Sequence, residues 1–347
     1  MASKASDVLT LFSIALLLLL FLAAVPLSSA ACTKEDVTAL LAFKNSFPPN
    51  TFPNSWGDAS TSCCFWDGVG CTHGRVTSLS FTSDEYTNDV LPVNLKGTVP
   101  PSVGDLSALT SISISSQADL VGPIPTTWSK LIKLKYFTIY NSSISGPVPL
   151  FLSHFKSLQQ LEINYCKLTG TIPPSLGDLA NLRSITLGQN KLTGTIPSTL
   201  FSKLNKGLLA NLDLSENQLT GAIPKSFGSV AFTNVNLQDN KLTGDASFLF
   251  GKSKPASQIL LARNNLSFDL TKVDYPVKYL HYLDLNHNEI YGSINEQIRE
   301  VLDLRSFDVS YNKLCGKIPR GGKFNPRFPE SFIHNKCLCG KPLPPCK

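Results

Sequence analysis

The chain has 347 residues, 9 of them Cys, and a formal net charge of +6 from 31 Lys and Arg against 25 Asp and Glu. So small a basic excess gives no footing for nucleic-acid recognition, which needs concentrated positive charge; it suits solubility and loose attraction to acidic polysaccharide. The length would ordinarily divide into two or three globular domains, but a fixed internal period leaves one, because repeated units bury their apolar sides only against neighbours.

Residues 1–30 read as a secretory leader: Lys4, an apolar run from Leu9 to Val25, Pro26, then the small residues Ser28, Ser29, Ala30 and Ala31. No second apolar run is long enough to cross a bilayer, so the mature protein is expected to be secreted, without a membrane span. Lys4 and Asp7 cancel, so the net charge survives removal of the leader.

Residues 31–74 form an expected N-terminal cap. Thr33 stands where it caps a helix carrying Val37, Leu40, Leu41 and Phe43, and Trp56 and Trp66 are placed to cover the first coil. Cys32, Cys63, Cys64 and Cys71 sit in this cap, and Cys315, Cys337, Cys339 and Cys346 gather at the far end. Bonding Cys63 to Cys64 would force a strained ring. The expected bridges are therefore Cys32 with Cys63, Cys64 with Cys71, Cys315 with Cys337, and Cys339 with Cys346, in keeping with an oxidising compartment. No spaced His partners accompany the Cys pairs, so no metal site is expected.

From residue 75 to 315 the sequence repeats. "CKLTGTIP" at Cys166 to Pro173 returns as "NKLTGTIP" at Asn190 to Pro197. Leu182, Ile185, Leu187, Asn190, Leu192 and Gly194 spell L-x-x-L-x-L-x-x-N-x-L-x-G, the leucine-rich repeat. Ten copies begin at Val76, Leu109, Leu134, Leu158, Leu182, Leu209, Phe232, Ala256, Leu280 and Leu304, with an insertion near Asp84 to Asn94. The alternation Ile185, Thr186, Leu187 predicts a short strand with its aliphatic side chains inside and Thr186 outside. Asn190, Asn217, Asn240, Asn264, Asn288 and Asn312 are placed to pair with backbone groups of adjacent coils, and Cys166 occupies that position in its own repeat as a buried free thiol. Leu176, Leu179 and Leu131 line short helical stretches on the convex side. The expected architecture is an α/β leucine-rich repeat solenoid, a right-handed superhelix whose ten-stranded concave parallel sheet spans roughly 45 Å, with disulfide-stapled caps. Residues 316–347 form the C-terminal cap, its lid running from Phe324 to Cys346. Sequons at Asn141 and Asn265 are candidate glycan sites.

"DVTALLAFKNSF…SW…CCFWDGVGC", the Leu-Thr-Gly-x-Ile-Pro variant of the repeat, "GDASFLFG" at Gly244 to Gly251, and the ending "LCGKIPRGG…HNKCLCGKPLPPC" together resemble the plant polygalacturonase-inhibiting proteins over the whole mature chain. A leucine-rich antifreeze protein of carrot belongs to the same group. The resemblance implies an extracellular, wall-associated defence protein whose concave face blocks fungal endopolygalacturonases, with insect enzymes as a second target class. It also implies bridges similar to those read from spacing.

The outward central slots run Ser80, Ser113, Thr138, Glu162, Thr186, Asp213, Asn236, Leu260, Asp284, Asp308. Glu162, Asp213, Glu216, Asp284 and Asp308 collect on the middle and later strands of a basic protein, which points to a cationic partner; Tyr136, Tyr140, Tyr165 and Tyr282 are the expected contact anchors. Gly188 departs from active relatives, which often carry an acid near that slot. Ice binding is an alternative, though the central slots mix chemistries where ice matching asks for regular Thr or Asn; a soluble module for peptide or pectin is another. His281, Asp284 and His287 have no nucleophile or ligand set around them, so no enzyme activity and no cofactor are expected, and the chain reads as a monomer.

Overall fold

The computed structural model describes residues 32–58, 60–83 and 93–347; the leader and most of the insertion near Asp84 lie outside them. Helix α1 spans Lys34–Lys44, capped by Thr33, whose hydroxyl accepts from the Asp36 amide at 3.3 Å. Asp36 then does what sequence did not foretell. Fully buried, it accepts from Arg75 Nε and the Val76 amide, both at 2.9 Å, and so clasps the helix to the first repeat. Phe43, Trp56 and Phe81 pack beneath it with Phe52, whose ring centroid lies 4.6 Å from that of Trp56. Disulfides join Cys32 to Cys63, Cys64 to Cys71, Cys315 to Cys337 and Cys339 to Cys346.

The main sheet opens with β1 (Val69–Thr72), antiparallel to β2 (Arg75–Thr82). Nine further strands follow in parallel and in chain order: β3 (Ser111–Gly122), β4 (Tyr136–Pro147), β5 (Gln160–Asn164), β6 (Ser184–Thr186), β7 (Ala210–Asp213), β8 (Phe232–Asn236), β9 (Gln258–Leu260), β10 (Tyr282–Asp284) and β11 (Ser306–Asp308). Alternation is the cause. Ile185, Leu212, Ile259 and Leu283 point inward and are fully buried, while their neighbours face out. Past the corner, residues such as Thr220–Ala222, Lys241–Gly244 and Asn265–Leu266 pair into a second, flanking parallel sheet. The convex side is built of short 3₁₀ turns, several entered through a proline at the preceding position: Pro100, Pro125, Pro149, Pro173 and Pro224.

Between the two sheets runs the asparagine ladder. Each rung accepts one amide from the preceding coil and donates to one of its carbonyls: Asn190 Oδ1 takes the Leu168 amide at 2.9 Å, and its Nδ2 gives to Ile163 O at 2.8 Å. The pattern repeats through Asn312 and continues to Asn335, which takes the Leu314 amide at 3.0 Å. It stops at Cys166. There the thiol lies 3.3 Å from Ser142 Oγ, and the Ile144 amide turns to Ser142 Oγ at 3.4 Å. Burial pushes the Cys166 thiol above its ordinary value, which makes it a poor nucleophile. Cys166→Asn restores the rung, and is expected to raise stability by about 1 kcal/mol, the worth of a net hydrogen bond, in denaturant unfolding. A lower unfolding midpoint would show that the thiol fills that space better than an amide.

Just before each rung the backbone crosses into the left-handed region. Ser116, Asn141, Tyr165, Gln189, Glu216, Asp239, Arg263, His287, Tyr311 and His334 all have φ between 49° and 57°. Only glycine enters that region freely, at a cost of roughly 1–2 kcal/mol for other residues, yet each of these ten positions carries a side chain. The turn swings that side chain onto the rim of the concave face and sends the next residue inward as a rung.

Candidate functional site

Parallel register fixes the concave face. The chain of partners Ser80, Ser113, Thr138, Glu162, Thr186, Asp213, Asn236, Leu260, Asp284 and Asp308 is unbroken from β2 to β11, so these ten residues form one rank across the sheet. A second outward rank lies two residues later, and the left-handed rank one residue beyond that.

The acids on this face are held. Asp213 Oδ1 accepts from the Ser215 amide at 2.9 Å and hydroxyl at 2.6 Å, and its Oδ2 accepts from Asn236 Nδ2 at 3.2 Å. Asp308 repeats the clasp on Ser310 at 2.9 and 2.7 Å, and Asp284 on Asn286 at 3.1 and 2.7 Å. Glu216 accepts from Gln189 Nε2 at 2.7 Å, and Glu162 from Gln160 Nε2 at 3.2 Å. Fixed carboxylates lose little entropy when a partner arrives.

Eight of the nine named residues fall into two groups, and Tyr136 stands apart from both. Glu162, Asp213 and Glu216 lie on or just after β5 and β7, near Tyr140 and Tyr165, whose ring centroids are 5.0 Å apart. Asp284, Asp308 and Tyr282 lie on β10 and β11, beyond Asn236 and Leu260. Tyr136 stands near the start of β4, with its hydroxyl 3.4 Å from Gln159 Oε1. Tyr136 and Tyr165 are exposed; Tyr140 and Tyr282 are half-buried, and so is Leu260, which sequence placed in the open.

The centre of the first group is Gly188, buried and closely packed by its neighbours. A Cβ there would lie 2.8 Å from Asn164 Oδ1, 2.9 Å from Asp213 Oδ1 and 3.0 Å from Ser215 Oγ. Asn164 is buried, and its Oδ1 has no hydrogen-bond partner. That acceptor is shut from solvent, so what a partner meets here is the carboxylates of Glu162, Asp213 and Glu216, which favour a donor that carries positive charge. Sequence reading passed over Asn164, because an outward Asn two places after Glu162 carries no distinguishing signal.

Desolvation raises the Glu162 carboxyl above its ordinary 4.5, and the charge of Asp213 adds to this. Desolvation likewise raises Asp284 above 3.8, with Asp308 contributing. A carboxyl whose native value is raised holds its proton more readily in the folded chain. Its stabilising share is therefore full below the unfolded value and is lost as pH climbs through the native one. Glu162→Gln is expected to flatten part of that decline in free-protein stability from about pH 4.5 upward; parallel unfolding profiles for the two proteins would deny Glu162 this role. Binding of a cation should run the other way and tighten over the same rise in pH.

The described residues match a family described as leucine rich repeat N-terminal domain at 33–72, and the leucine rich repeat at 157–179, 181–202 and 208–230. Polygalacturonase inhibitor 1 of Arabidopsis thaliana is 51% identical over 325 residues, covering 92% of this chain and 94% of that protein. The leucine-rich repeat protein FLOR 1 of the same plant is 47% identical, covering 92% and 94%. Among solved structures, a plant ice-binding protein superposes with a TM-score of 0.82 at 40% identity, covering 91% of this chain and 98% of that one.

Proposed function

The chain belongs to the polygalacturonase inhibitor family of leucine-rich repeat proteins, and from that premise we propose that it inhibits secreted fungal endopolygalacturonases, with insect enzymes as a second class. The observation that carries this reading is the acid group on β5 and β7: Glu162, Asp213 and Glu216, each held by a neighbouring side chain, face outward at the middle of the concave sheet. A convex enzyme that brings a lysine or arginine to these acids would have its substrate cleft covered by the rest of the face. The inhibitor needs no catalytic group for this, and it acts by occlusion rather than as an enzyme.

On this reading the protein works outside the cell as a monomer, at the wall, where its net positive charge draws it loosely to pectin. The sequons occupy exposed positions, Asn141 on the left-handed rank beside Tyr140 and Asn265 in the flanking sheet. Glycans at both are expected to appear as a mass loss on enzymatic deglycosylation of the secreted protein, and an unchanged mass would remove them.

Reducing-sugar release from polygalacturonic acid by a panel of fungal endopolygalacturonases, with and without the purified protein, tests the proposal. Inhibition of a panel member supports it, and no inhibition across the panel overturns it. Ice binding is the second reading, resting on the likeness to the ice-binding structure. Thermal hysteresis measured on the same preparation separates the two.

A further inference from the structure

The last coil is not fully closed. In the parallel ladder, the Ser306 amide donates to His281 O at 3.1 Å and Asp308 O accepts from the Leu285 amide at 2.8 Å, so both residues of β11 face β10. Phe307 between them therefore turns its N–H and C=O the other way. On that side the lid begins to pair only at Val309, whose amide reaches Ser331 O at 2.9 Å, followed by Tyr311 to Ile333 O at 3.0 Å. Among the described residues no strand pairs with the outer edge of β11.

A cavity of about 370 Å³ opens along this unpaired edge. Its floor is aromatic: Phe307 packs on Phe332 at 5.8 Å, and Phe328 stands 69% exposed at the mouth. Arg305, Lys323 and Arg327 supply its charged lining, and no acidic residue joins them. Arg305 is held by Asp303 at 3.0 Å, but Lys323 and Arg327 form no ion pair among the described residues. An open strand edge, an apolar floor and unpaired cations occur together here.

We propose that this edge groove docks an extended acidic peptide as an added strand. The peptide backbone pairs with Phe307, alternate side chains lie on Phe328 and Phe332, and the carboxylates between them meet Lys323 and Arg327. An acidic oligosaccharide satisfies the cations but offers no peptide backbone to Phe307, which is why the edge selects a peptide. The site lies apart from the acids around Asp213, and the proposal does not depend on the inhibitory reading.

The test uses the blocked peptide acetyl-Glu-Val-Glu-Phe-Glu-amide against the mature protein, with its all-Lys counterpart in place of Glu and a galacturonate trimer as comparisons. The acidic peptide is expected to bind, and to slow hydrogen exchange at the Phe307 amide by about tenfold or more as that amide gains a partner. Lys323→Glu with Arg327→Glu should weaken the peptide by roughly tenfold or more, as expected for lost charged hydrogen bonds. Phe328→Ser, at an exposed position that leaves folding intact, should weaken it as well. Absence of binding at about 1 mM peptide, equal binding by the charge-reversed protein, or unchanged Phe307 exchange would each overturn the proposal. So would a trimer that binds as tightly as the peptide.

Discussion

Asp213→Lys is expected to raise the concentration that half-inhibits a susceptible endopolygalacturonase by about a hundredfold, in line with reversing a charge at the centre of a docking face. Asp213 packs against Gly188 through Oδ1, and its two oxygens are anchored by Ser215 and Asn236. A lysine there would place an ammonium where the partner's own cation is to sit. Asp213→Asn separates charge from shape, because an amide keeps the acceptor toward Ser215 while losing the negative charge; it should cost no more than about tenfold. Asp213→Asn should keep the parent's unfolding free energy to within about 1 kcal/mol, whereas Asp213→Lys, which takes the acceptor away from the Ser215 amide and hydroxyl, should lose about 2 kcal/mol and still be folded at the assay temperature. If Asp213→Lys inhibits as well as the parent, the docking surface lies elsewhere, and the group around Asp284 and Asp308 becomes the next place to test.

A large loss of stability from a single uncharged polar side chain should come from the ladder. Asn240 is buried; it accepts the Leu219 amide at 3.0 Å and donates to Leu214 O at 2.9 Å, Leu237 O at 3.2 Å and Gln238 O at 3.2 Å. Asn240→Ala strands a buried amide and a carbonyl belonging to the preceding coil and leaves a small void, at a cost of about 3 kcal/mol. Because each coil rests on its neighbours, the defect should divide the unfolding transition, with the coils before and after residue 240 melting apart. Denaturant unfolding followed by hydrogen exchange would show this, and a single transition with an unmoved midpoint would count against the ladder as the source of cooperativity.

Much of the scaffold was legible because period and chemistry agree. Every parallel strand of the concave face could be placed from the leucine spacing, and the central rank from Ser80 to Asp308 follows directly once the strands stack in register, but the antiparallel β1 inside the cap has no such signal. What sequence hides is anything set by geometry across coils. The flanking sheet rests on a phrase, Leu-Thr-Gly, that looks like a turn when read alone, yet Thr220 to Ala222 pairs with Lys241 to Thr243. Asp36 reads as an acid in a first helical turn, and only the fold shows it buried against Arg75 and Val76. Gly188 is subtler still, because only the fold shows that Asn164, Asp213 and Ser215 close over it too tightly for any side chain, and that the Asn164 acceptor is left over beneath. In sequence the two acid groups read as one set, since a list of positions does not carry the half-buried Asn236 and Leu260 that separate them.

The left-handed turn before every rung limits how this surface can diversify. A position at φ near 50° excludes proline outright and penalises Val, Ile and Thr, whose branched Cβ crowds the backbone. The ten side chains found there are Ser, Asn, Tyr, Gln, Glu, Asp, Arg, His, Tyr and His, and none is branched at Cβ. Substitutions at these rim positions should thus stay within long, polar or aromatic residues, whichever target the protein is matched against, while branched and small apolar residues find room only on the straight part of the strands. The same bend that holds the coil together sets the alphabet in which a new specificity can be written.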